Sequence, residues 1–223
     1  MSKYINSSYT CPKCGEKQEF SLWQSVNAQI NPELVEKILN REFYSQTCTK
    51  CGNITDVVYT FLYHDMSLKL MIYLVVESEP NAQAKMIEEI ISTLFASMDE
   101  DYKKRIVTNY NQLLEKIAIF RDGLDDRAVE FMKLFYVVQV QESVKDKELT
   151  GVYYISEPPD PAVFLVTFDN GEVASMNFDE EIYTATLSDI QREKTEATAV
   201  NGFRVVDRGW ALGFLAAKSG KDS

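Results

Sequence analysis

Apolar positions along the chain change period several times, and each change marks an element. Residues 1–10 are mostly polar and read as an edge strand. Phe20, Leu22 and Val26 then fall on alternate positions, which predicts a strand leaving a turn at Gly15. Asn31-Pro32-Glu33 opens a helix: asparagine suits the cap, proline the first helical position, and glutamate the positive end of the dipole. Leu34, Val35, Ile38 and Leu39 supply its apolar face, and it is expected to stop near Asn40. Residues 54–76 predict a β-hairpin, with Val57, Val58, Tyr59, Phe61 and Tyr63 on one strand and Leu68, Leu70, Ile72 and Leu74 on the other. His64-Asp65-Met66-Ser67 is read as its turn. Because Ile72 to Val76 is apolar on both faces, the second strand is expected to be central.

The period then becomes helical. Pro80-Asn81 leads into Ile87, Ile90, Ile91, Leu94, Phe95 and Met98, and residues 99–105 read as a charged connector. Thr108 or Asn109 caps a second helix carrying Leu113, Leu114, Ile117 and Phe120. Gly123 ends it, and Asp125-Asp126 start a third with Ala128, Phe131, Met132 and Phe135 on one face. Tyr136 to Val140 fits either helix or strand, and the charged residues 141–148 are the expected domain boundary. Beyond it, 152–156 and 163–168 read as strands, Asn170-Gly171 as a hairpin turn, and Asp179 as the cap of a helix to about Arg192. Residues 205–215 read as a last strand pair or bent strand.

All four cysteines lie in two matching loops, Cys11-Pro12-Lys13-Cys14-Gly15 and Cys48-Thr49-Lys50-Cys51-Gly52. In a C-x-x-C-Gly loop the tight turn aims two thiolates at one point, and the glycine supplies a positive φ. Two such loops make a tetrahedral four-sulfur site, so Cys11, Cys14, Cys48 and Cys51 are the expected ligands of one structural zinc. The 33 residues between Cys14 and Cys48 exceed the interval of a small zinc ribbon, and the helix after Asn31 accounts for the excess. Iron is the alternative, because rubredoxins hold one iron with two similar loops. The reading of the whole is α+β: a zinc-ribbon-like knuckle pair with an antiparallel hairpin and a helical segment (about 80–140) in a domain over 1–140. A smaller α+β domain over 150–218 follows.

Charge narrows the partners. The net charge is −11, and residues 1–64 hold six Lys/Arg and six Asp/Glu, so the whole imbalance lies in 65–223. An acidic chain is disfavoured as a general polyanion binder, since nucleic-acid affinity draws on phosphate neutralisation by basic side chains. A nucleic-acid reading would have to rest on Lys13, Lys17 and Lys50; the simpler role of Lys13 and Lys50 is to offset a metal–thiolate charge. No stretch nears the roughly 18 apolar residues of a membrane span. Residues 1–6 lack a secretory apolar segment, so the expected location is cytoplasmic. His64, the single histidine, has no nucleophile or acid partner marked in sequence. Asp125 and Asp126, adjacent on a helix, point about 100° apart. No catalytic residue is expected, and an enzyme drawing on His64 or on Asp125 and Asp126 is the less favoured alternative.

The two cysteine loops, together with Leu62-Tyr63-His64-Asp65 and Leu70-Met71-Ile72-Tyr73-Leu74, resemble the bacterial CpXC domain. Arg105-Ile106-Val107, Leu114-Glu115-Lys116-Ile117 and Asp122-Gly123-Leu124-Asp125-Asp126-Arg127 resemble its continuation, so the likeness spans about 9–135. The resemblance implies a prokaryotic zinc-ribbon-like module of uncharacterised function. With four sulfurs filling a tetrahedron, no position stays open for substrate. The expected role is a protein-interaction or regulatory module with an unidentified protein partner.

Overall fold

A computed structural model describes residues 2–76, 102–144, 146–192 and 203–219. The helix expected over 81–98 lies outside the described residues. The chain is α+β and divides into two compact units, Met1–Tyr110 and Asn111–Ser223. None of the described helices is long and apolar enough to cross a membrane.

The first unit is built on a five-stranded mixed sheet. Strands β1 (Lys3–Thr10) and β2 (Lys17–Asn27) form an antiparallel hairpin, with β1 at the sheet edge. Helix α1 (Pro32–Leu39) buries Leu34, Val35 and Ile38, the face its spacing predicts. Asn31 holds the cap position, but its amide donates to Glu33 Oε1 at 2.7 Å instead of accepting a backbone N–H. Strand β3 (Ser45–Thr47) pairs with β4 (Ile54–Asp56), and β5 (Phe61–Asp65) with β6 (Leu70–Leu74). The predicted hairpin is therefore two separate pairings. The chain leaves the sheet at Val57, whose N–H donates to Tyr44 O at 2.9 Å, and Tyr59 joins a ring cluster with Phe43 and Tyr44. Non-local aromatic packing here overrides local alternation.

The β5–β6 turn also sits later than the sequence places it. His64 and Asp65 remain in β5, and Asp65 Oδ1 accepts the N–H groups of Ser67 and Leu68 at 2.9 and 3.1 Å. Lys69 takes the positive φ, 47°, that closes the reversal. Strand β6 is central as expected, flanked by β5 and by β7 (Lys103–Val107), which runs parallel to it. The charged connector thus contains a strand. Lys104 and Arg105 are buried, and Arg105 donates to Lys104 O at 2.9 Å.

In the second unit, helix α2 (Tyr110–Arg121) ends at Gly123, whose φ of 71° turns the chain, and α3 (Asp126–Ser143) follows. Helix α3 runs through 136–140, so the ambiguous stretch is helical. A three-stranded antiparallel sheet, β8 (Leu149–Ile155), β9 (Val163–Phe168) and β10 (Val173–Asn177), turns Val152, Tyr154, Phe164, Val166 and Phe168 inward. They share a core with Val129, Met132, Tyr136 and Val137 of α3. This packing places α3 in the second unit, so the compact units divide at Tyr110 and residues 141–148 fall inside one of them. The Asn170-Gly171 turn joins β9 to β10, with Gly171 at φ 80°. Asp179 Oδ1 accepts the N–H groups of Glu181 and Ile182, capping α4 (Glu180–Arg192) as expected. The predicted last strand pair is instead helix α5 (Arg208–Ser219). Asp207 Oδ1 caps it by accepting Trp210 N–H at 2.9 Å, and Trp210 and Phe214, one helical turn apart, both pack on Phe131. Only that docking reveals the 3.6-residue period.

A buried charge chain ties this unit together. Lys116, 2% exposed, bonds Glu130 at 3.0 Å and pairs with Asp126 at 2.9 Å. Lys133 bridges Glu130 and Glu115 at 3.1 and 3.0 Å. Glu115 Oε1 in turn accepts the Tyr154 N–H on the open edge of β8 at 2.7 Å. Burial works against the Lys116 ammonium, but Asp126 and Glu130 outweigh it and hold the side chain charged. Lys116→Met would leave two buried carboxylates short of a cation. It is expected to cost about 3–5 kcal/mol in denaturant unfolding of the second unit, the scale for breaking a buried ion pair.

Candidate metal centre

Two turns of the same construction carry the cysteines. The first joins β1 to β2, the second β3 to β4. In the first, Cys11 N–H donates to Glu16 O and Gly15 N–H to Cys11 O, each at 2.9 Å. In the second, Cys48 N–H donates to Asn53 O and Gly52 N–H to Cys48 O, again each at 2.9 Å. Gly15 and Gly52 have φ of 72° and 71°, and a Cβ at either would meet nothing within 4 Å. The glycine requirement is thus conformational rather than steric.

These turns bring all four sulfurs together, with every Sγ within 4.8 Å of the others. The short approaches run between loops: Cys11 to Cys51 and Cys14 to Cys48 are both 3.7 Å. A tetrahedron of sulfurs about 2.3 Å from a zinc ion has edges of about 3.8 Å, so two of these edges already match it. The same 3.7 Å is far beyond the about 2.05 Å of a disulfide, and the four thiols are free. Cys11 and Cys48 are buried, while Cys14 and Cys51 are partly exposed.

The electrostatics fit a cation. The backbone N–H of Cys14, helped by that of Lys13, points at the Cys11 sulfur and outweighs burial, lowering its pKa to about 7. At Cys14 the Glu16 N–H favours the thiolate, but burial and the Cys51, Cys11 and Cys48 sulfurs overcome it and push the thiol up to about 12. Four sulfurs this close cannot all ionise by themselves, because each thiolate opposes the next. A divalent ion at their centre would let them do so, with release of the remaining protons. The donor set is soft and all-sulfur, which suits zinc or iron.

A family model described as CpXC protein matches residues 9–133, more than half of the chain. The chain belongs to the CpXC family. The match takes in both cysteine loops and ends inside α3. No match was found among curated proteins or among solved structures.

This CpXC chain also uses a residue that the sequence does not advertise. Gln18, buried on β2, accepts Thr49 N–H at 3.1 Å and Thr49 Oγ1–H at 2.8 Å through its Oε1. It thereby fastens the second loop to the hairpin that carries the first. Gln18 sits in the polar run 16–19, and only its burial distinguishes it. At the surface, Lys50 pairs with Glu16 at 2.6 Å, both well exposed. Its ammonium is held above the usual lysine range by that carboxylate first, and by Cys14 and Cys48 less. Lys50 is thus already engaged within the protein, while Lys13 and Lys17 are exposed.

The other candidates are held by partners of their own. His64 lies 3.3 Å from Asn27 Nδ2 through Nδ1 and 3.3 Å from Tyr102 Oη through Nε2, and burial lowers its pKa. Asp125 accepts Arg127 N–H at 3.0 Å and pairs with its guanidinium at 2.6 Å. Asp126 is buried against Lys116. The two carboxylates thus serve a cap and an ion pair.

The Gln18 bridge makes a direct expectation. Gln18→Ala removes the acceptor of two Thr49 donors and is expected to lower stability by about 1–3 kcal/mol, the range for stranding a buried polar group. Lys50→Ala breaks only an exposed pair and is expected to leave the melting temperature unchanged. Thermal unfolding of the two variants beside the parent checks both.

Proposed function

We propose that Cys11, Cys14, Cys48 and Cys51 hold one structural zinc ion in a zinc-ribbon-like centre. The observation that carries this is the convergence of four sulfurs from two identically hydrogen-bonded turns, with cross-loop distances of 3.7 Å. Zinc is favoured over iron because closed tetrahedral sulfur sites are its commonest structural use. The ion would join two loops that are distant in sequence, and its binding would be part of the folding energy of this unit, on the order of 10 kcal/mol.

We further propose that the chain acts inside the cell as a protein-interaction or regulatory module. All four positions of such a centre would be taken by protein sulfur, leaving none for a substrate. Ile54, two residues past Gly52, and Val58 expose most of their apolar surface near the second loop, which supports a contact role for this side of the unit.

The purified protein is expected to contain one zinc per chain by elemental analysis. Cys14→Ser is expected to lose the ion and, in hydrogen exchange, to lose protection in Met1–Tyr110 before Asn111–Ser223. A Cys14→Ser protein with full metal and unchanged stability overturns the four-sulfur centre, and a red, iron-rich protein overturns zinc. The interaction role predicts a protein that co-purifies with the tagged parent and is lost with Cys14→Ser. Repeated recovery of no such partner overturns that role.

A further inference from the structure

The strand that leads into the first cysteine loop carries a hydroxyl without a partner. Tyr9 Oη is buried and makes no hydrogen bond. Stranding a buried hydroxyl costs about 1–3 kcal/mol, so a native protein that keeps one commonly has a use for it. Its surroundings indicate the use. The β1–β2 register puts Tyr9 directly opposite Gln18, and opposed residues of an antiparallel pair project from the same face. From that face Gln18 reaches Thr49, beside Cys48. The Tyr9 ring is fixed edge-on against Phe20, with centroids 6.0 Å apart and planes at 80°. Tyr9 is two residues from Cys11, the first of the four cysteines.

In the first loop backbone donors already point at sulfur: the Cys14 and Lys13 N–H groups at Cys11, and the Glu16 N–H at Cys14. Four thiolates around one divalent ion carry a net charge of −2, and each hydrogen bond to sulfur spreads part of it. We propose that Tyr9 is a positioning residue of the metal centre, its hydroxyl donating to a cysteine thiolate in the metal-loaded protein and slowing loss of the ion. This rests on the reading that the four cysteines bind metal. It would give the Tyr9 hydroxyl the acceptor it otherwise lacks.

The test compares the parent, Tyr9→Phe and Tyr4→Phe, each as the full chain. Tyr4 lies on the same strand with its side chain largely exposed, and serves as the control. Competition with a chromogenic zinc chelator is expected to show one zinc per chain in all three, with affinity about tenfold weaker in Tyr9→Phe, the low end for losing a supporting hydrogen bond. In the cobalt-loaded proteins, the sulfur-to-cobalt charge-transfer band of Tyr9→Phe is expected at lower energy. A thiolate that loses an O–H donor gives up its electrons more readily. Unchanged affinity and spectrum in Tyr9→Phe overturn the Tyr9 role alone, and weaker affinity with an unshifted band overturns donation to sulfur. A parent chain that takes up no zinc and no cobalt overturns the metal centre and the Tyr9 role together.

Discussion

Four sulfur atoms arriving at one point is the constraint on which the first unit depends. Cys14 and Cys48 are separated by 33 residues, yet their sulfurs lie 3.7 Å apart. To meet this, β2 must run from the first loop, α1 must reverse the chain, and β3 must deliver the second loop beside the first. The turns that aim the thiolates are local and repeat the same two hydrogen bonds. The relation between the turns is non-local, and the buried Gln18 maintains it through Thr49. Close packing of ionisable sulfur is unfavourable by itself, as the opposed shifts at Cys11 and Cys14 show. A site of this kind makes physical sense when a cation resolves the repulsion.

The second unit solves a different problem with charge. Its three-stranded sheet ends at β8, an edge strand with outward-facing backbone donors. Glu115 accepts one of them, and Lys133, Glu130, Lys116 and Asp126 extend the chain of contacts through α2 and α3. Edge strands invite unwanted pairing, and occupying their donors with a side chain blunts that tendency. The network holds three carboxylates and two ammoniums. Glu115 carries the strain of this imbalance: burial, with Glu130 nearby, raises its pKa despite Lys133.

Local chemistry was readable wherever a motif and its consequence lie within a few residues. The cysteine loops, the Pro32 helix start, the Asp179 cap and the Asn170-Gly171 turn all belong to this class, because capping and turn geometry are set by neighbours in the chain. The exceptions are instructive for the same reason. Val57 to Tyr59 have strand-forming side chains, but they leave the ladder to meet Tyr44 and Phe43. Lys103 to Val107 begins with charge, yet forms a strand because β6 offers a second edge. Arg208 to Ser219 contains two glycines, yet forms a helix because Asp207 caps it and Phe131 receives one face.

By itself, the sequence determined the α+β class, the family and the four candidate ligands, since each is a matter of residue type at short spacing. Only the tertiary structure decided that the two loops face one another with their four sulfurs within 4.8 Å of one another. Only it showed that Gln18 latches them and that Tyr9, on the strand leading into the first, buries an unpartnered hydroxyl. It also assigned α3 to the sheet that follows it, so that the second compact unit begins after Tyr110. The physical reason is common to all of these: which distant surfaces meet depends on burial and register summed over the fold, and no window of neighbouring residues contains that information.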